Sequence, residues 1–173
     1  MLIELLDGED KRLRREKEWI GILIHHTGII DEKTKWDNFS DNVTKYLSTK
    51  DKNYVSAHFS IKINGIITQI IDPDIYEAWH AGKSSYWHPI KRQIVPDWNR
   101  YAIGIELVGD GNKYQYCDAQ YKSLIDLIKF LMSKYKSVHP LAIIGHENVS
   151  PNRKIDPGKL FDWDRLFRGI YGG

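Results

Sequence analysis

Residues 101–108 have the sequence YAIGIELV, and residues 19–25 have the sequence WIGILIH. Both stretches are short, apolar and rich in isoleucine, which is typical of strands buried inside a sheet. Each nevertheless contains a polar residue near its end, Glu106 in the first and His25 in the second. The sequence therefore predicts two core strands whose ends can present polar side chains to a site.

Helical spacing of apolar residues predicts two further elements. One helix is expected over 36–49, and a second over 121–135 behind Asp118, a suitable N-cap. A short last helix is expected around 162–168, and a strand is expected at 141–144.

A hairpin is predicted where Asn64-Gly65 separates the apolar runs 57–63 and 66–71. This dipeptide favours a type I′ turn, in which both central residues have positive φ. Residues 72–100 have no clear periodicity and are expected to be irregular. Irregular segments of this length usually have a function.

The order of elements, β-α-β-β-loop-β-α-β-α, predicts an α/β fold with a mixed central β-sheet flanked by helices. The chain of 173 residues, 42% hydrophobic and 28% charged, is long enough for one well-buried core. We expect a single domain over 1–173, with a core of about 19–168 and an N-terminal extension of 1–18.

The composition excludes several classes of protein. Twenty-five basic and 23 acidic residues nearly cancel, so no overall charge favours nucleic acid or an anionic membrane surface. Cys117 is the only cysteine, which rules out an intrachain disulfide. The short N-terminal apolar run is interrupted by Glu4 and predicts neither a signal peptide nor a membrane span. A monomer made in the cytoplasm, without membrane insertion, is expected.

Polar residues follow two of the predicted strands, His25 after WIGIL and His146 after LAIIG. Neutral imidazoles and carboxylates are good zinc ligands, and a catalytic zinc commonly has three protein ligands. His25, His146 and Asp156 would satisfy this number, although local spacing alone does not identify them because they come from distant segments.

Five motifs occur in a fixed order: IHHTG, SAHF followed by GxIxQ, AWHAG, NxxAIGIELVG and GHENVSPNRKIDPG. Together they resemble the zinc-dependent N-acetylmuramoyl-L-alanine amidases of the type 2 family. That family includes bacterial wall-recycling amidases and phage endolysins, and it is related to the peptidoglycan recognition proteins. The resemblance covers about residues 21–166.

The resemblance implies a role for five residues. His25, His146 and Asp156 match the ligands of one zinc ion, with aspartate at a position where some relatives have cysteine. Glu106 matches the acid/base carboxylate, and Lys154 matches the lysine that faces the reacting carbonyl. The implied reaction is hydrolysis of the amide between the lactyl group of N-acetylmuramic acid and L-alanine of the stem peptide.

Elementary chemistry agrees with these roles. Glu106, partly desolvated at a strand end, would have a raised pKa suited to accepting and returning a proton. Lys154 would stabilise negative charge on the carbonyl oxygen. Zinc would polarise the carbonyl and lower the pKa of water.

A substrate groove is expected along the aromatic segment, because aromatic rings stack on sugars and peptides. For His58 two alternatives remain open, a place beside the substrate or a buried, hydrogen-bonded histidine. The predicted substrate-binding residues are His58, Trp79, His80, Gly82, Trp87 and Asn99.

Peptidoglycan or a muropeptide is the expected partner. A lytic enzyme of endolysin type, which reaches the cell wall after release, is the first hypothesis. The alternatives are a cytoplasmic recycling amidase that acts on anhydro-muropeptides, an effector injected into rival cells, and a binding module without activity.

Overall fold

The structure, a computed structural model, describes residues 3–5, 16–28 and 55–172. Within these ranges the strands are β1 (Ile3–Leu5), β2 (Gly21–His26), β3 (Phe59–Ile61), β4 (Ile67–Gln69), β5 (Ser85–His88), β6 (Gln93–Pro96), β7 (Ala102–Leu107) and β8 (Ile143–Gly145). The α-helices are α1 (Asp118–Lys134), α2 (His146–Val149) and α3 (Trp163–Tyr171). Two 3-10 turns, Trp98–Arg100 and Pro140–Ala142, precede β7 and β8.

Six of the strands form the predicted mixed sheet, in the order β1-β4-β3-β7-β2-β8. Only the β3–β4 pair is antiparallel. Strands β2 and β7 lie in the middle and are buried on both faces, which explains their continuous apolar sequences. Their register places His25 directly beside Glu106.

Side chains of β2 and β7 alternate between two faces of the sheet. On one face Ile24 and Ile105 belong to the same buried cluster as the apolar side of α1. On the other face Leu23 and Ala102 pack with Trp98 in a second cluster. His25 and Glu106 share the phase of Leu23 and Ala102, so they project to the face opposite α1.

Most predicted element boundaries are confirmed to within a few residues. Helix α1 begins at Asp118, with Cys117 rather than Asp118 in the N-cap position. Helix α3 is longer than the predicted 162–168, and the Asp162 side chain caps it by accepting from the Arg165 N–H. The helix predicted over 36–49 lies outside the described residues.

The β3–β4 hairpin is confirmed, but the predicted type I′ turn is wrong. Only Gly65 of the Asn64-Gly65 pair has a positive φ, 84°. The Gly65 N–H donates to the Lys62 carbonyl at 2.9 Å, which gives a three-residue loop ending in a left-handed glycine. A Cβ at Gly65 would lie 2.8 Å from the Ala119 carbonyl oxygen, so contact with α1 also favours glycine.

The expectation of an irregular 72–100 is wrong for 85–96, where β5 and β6 pair antiparallel as a separate hairpin. Its inner pair, Tyr86 and Val95, packs on the core, whereas its outer pair, Trp87 and Ile94, is exposed. The run has no Asn-Gly or Asp-Gly signal, which is why the hairpin escaped prediction.

Strand β1 was also not predicted. It pairs parallel with β4 at one edge of the sheet, although it lies within the proposed N-terminal extension of 1–18.

None of the described helices combines the length and apolar character needed to cross a bilayer.

Candidate metal-binding and catalytic site

Three buried side chains from separate segments converge at the carboxyl ends of β2 and β8. His25 ends the first of these strands, and His146 begins α2 directly after the second. The His25 and His146 Nδ1 atoms lie 2.9 Å apart. Asp156 Oδ2 lies 3.1 Å from the first and 3.0 Å from the second. The structure thus brings together the three ligands expected from the sequence.

Backbone contacts hold the loop that contains Asp156 against α2. The Glu147 N–H donates to the Asp156 carbonyl at 3.0 Å, and the Lys154 N–H donates to the Ser150 carbonyl at 3.1 Å. A Cβ at Gly145 would lie 2.6 Å from Pro157 Cδ, so only glycine permits this close approach before His146. The loop is therefore packed in place beside β8.

The outer ring nitrogens identify the tautomers of the two histidines. His146 Nε2 lies 3.0 Å from the Ala81 carbonyl oxygen, which can only accept, so this nitrogen has the proton. His80 Nε2 likewise donates to the Ala102 carbonyl at 3.1 Å. His80 Nδ1 is then an acceptor, and it receives the His25 Nε2–H at 2.9 Å.

With both Nε2 atoms protonated, the Nδ1 atoms of neutral His25 and His146 present lone pairs to the Asp156 carboxylate. Burial lowers the pKa of His25 to about 4, so at neutral pH its Nδ1 atom does not readily take up a proton between itself and the Asp156 carboxylate. Three acceptors at 2.9–3.1 Å therefore face one another, an arrangement that a cation satisfies. Ligands of a tetrahedral zinc lie about 3.3 Å apart, so this set fits that ion.

Glu106 is a buried carboxyl group beside this cluster. It is 8% exposed, and among the described residues its Oε2 atom has no hydrogen-bond partner. Burial raises the pKa of Glu106 to about 8, with the Asp156 charge acting in the same direction and the Lys154 charge opposing both. A carboxyl group in this state can both accept and release a proton near neutral pH.

Lys154 is half-buried, two residues before Asp156. Burial is the main cause of the shifted pKa values of Glu106 and His25, and the nearby Lys154 charge makes a smaller contribution, opposing the rise for Glu106 and adding to the fall for His25. The cluster therefore combines three groups that could hold a metal ion, a buried carboxyl group and a cation.

Comparison with known proteins identifies the family. The Amidase_2 model, described as N-acetylmuramoyl-L-alanine amidase, matches residues 15–159. The chain belongs to this family. The 1,6-anhydro-N-acetylmuramyl-L-alanine amidase AmpD of Haemophilus influenzae is 43% identical over 116 residues, which cover 67% of this chain and 59% of the relative. The match thus spans less than two thirds of that relative's length.

Solved structures of the family have the same architecture. A selenomethionine derivative of AmpD gives a TM-score of 0.73 at 28% identity, and the match covers 98% of this chain and 99% of that one. AmiD of Escherichia coli gives 0.70 at 27% identity, covering 92% and 61%. That AmiD was solved in complex with anhydro-N-acetylmuramic acid-L-Ala-D-γ-Glu-L-Lys.

Three residues expected on the substrate groove of this amidase-family fold are buried and bonded within the protein instead. His58 is 0% exposed, and its Nδ1 accepts from the Gly104 N–H at 3.0 Å, which favours the buried, hydrogen-bonded alternative. His80 is 6% exposed, and its Nδ1 accepts from His25 Nε2 at 2.9 Å. Asn99 Oδ1 accepts from the backbone N–H groups of His80 and Ala81. Within the described part of the chain, these three side chains are buried rather than exposed on a surface.

The other predicted groove residues are exposed. Trp79 and Trp87 are each 47% exposed, far more than is usual for a core tryptophan. Gly82 has φ 57°, and a Cβ there would lie 3.3 Å from the Arg153 guanidinium. These three positions remain available to a ligand.

Arg153 and two backbone carbonyls were missed by the sequence analysis. An Arg153 Nη atom donates to the Ala81 carbonyl at 2.7 Å and to the Lys83 carbonyl at 3.0 Å, which ties the metal-site loop to the segment before β5. Carbonyl groups have no sequence signature, so the Ala81 and Ala102 acceptors could be found only in three dimensions. His26 accepts from the Gly111 N–H at 3.1 Å and is not one of the three residues of the cluster.

Proposed function

We propose that this protein is a zinc-dependent N-acetylmuramoyl-L-alanine amidase, a single catalytic domain that hydrolyses the amide between N-acetylmuramic acid and the L-alanine of muropeptides. The supporting observation is the convergence of three unprotonated acceptors, from His25, His146 and Asp156, beside the buried carboxyl group of Glu106. Membership of the amidase family supports the same reaction.

His25, His146 and Asp156 would hold the zinc, which when bound polarises a carbonyl and lowers the pKa of water. Glu106 accepts the proton of the attacking water and returns it to the departing alanine nitrogen. Its raised pKa suits the second step, because an acid whose pKa lies near the working pH releases its proton readily. Lys154 stabilises negative charge on the carbonyl oxygen, an electrostatic contribution of about 3 kcal/mol.

The exposed side chains of Trp79 and Trp87, with Gly82, form part of the surface along which the sugar or peptide lies in this proposal. Indole rings offer flat apolar faces for such ligands, together with an N–H donor. Both rings are 47% exposed, so their faces are accessible to such a ligand.

Soluble anhydro-muropeptides are the proposed substrates, as in the recycling hypothesis. The endolysin hypothesis came first from the sequence, but the comparisons favour the alternative, because the AmpD relative is named for the 1,6-anhydro sugar. The ligand in the AmiD structure also has an anhydro sugar. A recycling role places the protein in the cytoplasm.

A parallel digestion tests this function. Purified, zinc-loaded protein is incubated with intact sacculi and, separately, with soluble anhydro-muropeptides, and the products are weighed by mass spectrometry. Release of free stem peptide from the soluble substrate, abolished by a chelator and restored by zinc, is the expected result. Faster clearing of sacculi would support the endolysin hypothesis instead, and no cleavage of either substrate would contradict the amidase proposal.

A further inference from the structure

Two consecutive residues between β4 and β5 contact both histidines of the metal site. The His80 ring accepts from His25 Nε2, and the Ala81 carbonyl accepts from His146 Nε2. We propose that this dipeptide, held by Asn99, is the positioning element that fixes the tautomer and ring orientation of both histidine ligands. The inference rests on the proposed metal site but not on which bond the enzyme cleaves.

The His80 ring is itself locked in one state. Its Nε2–H donates to the Ala102 carbonyl of β7, which leaves Nδ1 as an acceptor for His25. The two rings meet edge to face, with centroids 4.9 Å apart and planes at 83°. A Cβ at position 104 would lie 2.5 Å from His80 Cγ, so Gly104 makes the space that the ring occupies.

Asn99 fixes the backbone of the dipeptide. Its Oδ1 accepts from the N–H groups of His80 at 3.0 Å and Ala81 at 2.7 Å. Its Nδ2 donates to Asp97 Oδ1 at 3.2 Å, which sets the orientation of the amide. One buried side chain therefore holds the backbone N–H groups of both residues, from which the His80 ring and the Ala81 carbonyl extend towards the two histidines.

The consequence concerns metal affinity. A histidine that binds through Nδ1 must have its proton on Nε2, and an acceptor at Nε2 selects that tautomer and holds the ring. Removing such an acceptor typically weakens metal binding 10- to 100-fold. His80 and Asn99 thus act through the ligands, without contact with substrate.

Four variants test the proposal. His80→Leu removes the acceptor and keeps apolar volume, His80→Asn keeps an acceptor oxygen near the position of Nδ1, and Asn99→Ala releases the dipeptide. His88→Leu is the matched control, because His88 is equally buried but packs against Tyr101. Zinc dissociation constants are measured by chelator competition, with circular dichroism melting of the metal-free proteins to verify folding.

We expect zinc binding to weaken 10- to 100-fold in His80→Leu, severalfold in Asn99→Ala, and less than fivefold in His80→Asn, with no change in His88→Leu. Imidazole ¹⁵N NMR of the metal-free wild type at pH 7 should show His25 protonated on Nε2, and His80→Leu should show a mixture of tautomers.

Wild-type zinc affinity in folded His80→Leu or Asn99→Ala would overturn the proposal. So would an Nδ1-protonated His25 in the wild type, a measurement that requires no variant to fold. Neither experiment uses a substrate, so a protein that binds zinc as expected but cleaves no muropeptide contradicts the proposed function alone.

Discussion

The two faces of strands β2 and β7 are both buried, but burial has opposite effects on the stability of the fold at the two faces. On the face towards α1, Ile24 and Ile105 are 0% exposed and belong to one cluster of buried hydrophobic residues. On the other face the neighbouring residues His25 and Glu106 are 1% and 8% exposed, and they bury ionisable groups. Apolar burial stabilises the fold, whereas a buried polar group without a partner destabilises it.

The comparison shows how one pair of strands can serve stability and chemistry at once. Because successive residues point to opposite faces, a reactive group and a core group can be adjacent in sequence and separated by the thickness of the sheet. Apolar burial on one face offsets the destabilisation caused by the unpaired acceptors on the other face, and functional sites commonly reduce stability in this way. Substitutions at adjacent positions should therefore give different phenotypes.

The largest effect is expected from Glu106→Gln. The amide cannot accept the proton of the attacking water, so turnover should fall about 10³-fold, equivalent to ~4 kcal/mol. Zinc affinity and the melting temperature should not decrease, because the substitution replaces a buried ionisable group by a neutral one of the same size. Steady-state kinetics on an anhydro-muropeptide and chelator competition measure the two properties. Retained turnover would remove Glu106 from the mechanism.

Ile105→Ala, one residue earlier, should do the reverse. Loss of a fully buried isoleucine side chain should lower the free energy of unfolding by ~3 kcal/mol, while the zinc affinity of the folded protein stays within about twofold. Urea unfolding gives the first value. Ile94→Ala, at a position that is 70% exposed, is the control and should change stability by less than about 0.5 kcal/mol. If Ile105→Ala weakened zinc binding tenfold, the two faces would not be independent.

The pH dependence of stability should distinguish the faces further. In metal-free folded protein the pKa of Glu106 is about 8 against an ordinary value of 4.5, so folding takes up a proton between these pH values. Stability due to this group therefore falls as pH rises from 5 to 8 and levels off above that. Glu106→Gln should stabilise the chelator-treated protein by ~3–4 kcal/mol more at pH 8 than at pH 5. Equal stabilisation at both pH values would show that the Glu106 pKa is not raised.

The smallest effects are expected at the exposed tryptophans, which belong to neither face. Trp79→Ala and Trp87→Ala should each lower kcat/KM about fivefold, equivalent to ~1 kcal/mol, by removing a stacking surface. Their melting temperatures should stay close to that of the wild type. Ile90→Ala, at an exposed position before β6, is the control and should leave kcat/KM unchanged. If both tryptophan variants kept full kcat/KM, the substrate would lie elsewhere.

Much of the fold could be predicted because its core elements have clear periodicity. The apolar runs of β2 and β7 identified the central strands of the sheet, and the amphipathic pattern of α1 identified the main helix. The hairpin β5–β6 and the strand β1 were missed, because each is short and its pairing depends on tertiary contacts rather than local signals.

The proposed metal ligands could be predicted from the sequence, whereas the residues that contact those ligands could not. His25, His146 and Asp156 were identified from motif resemblance, and the structure places them together. His80 and Asn99 were assigned to the substrate surface because they fall in the aperiodic segment whose aromatic residues predicted a substrate groove. Their burial depends on Gly104 and on two backbone carbonyls, which a linear sequence does not reveal.

The distance along the chain between the ligands has one more consequence. His25 and His146 are separated by 121 positions, and His25 and Asp156 by 131, so an ion bound by them would close a loop of most of the polypeptide. A cross-link of that span restricts the unfolded chain strongly, and an ion that binds only the folded form also stabilises it by mass action. Metal supply would then govern not only the turnover of this protein but also its resistance to proteolysis.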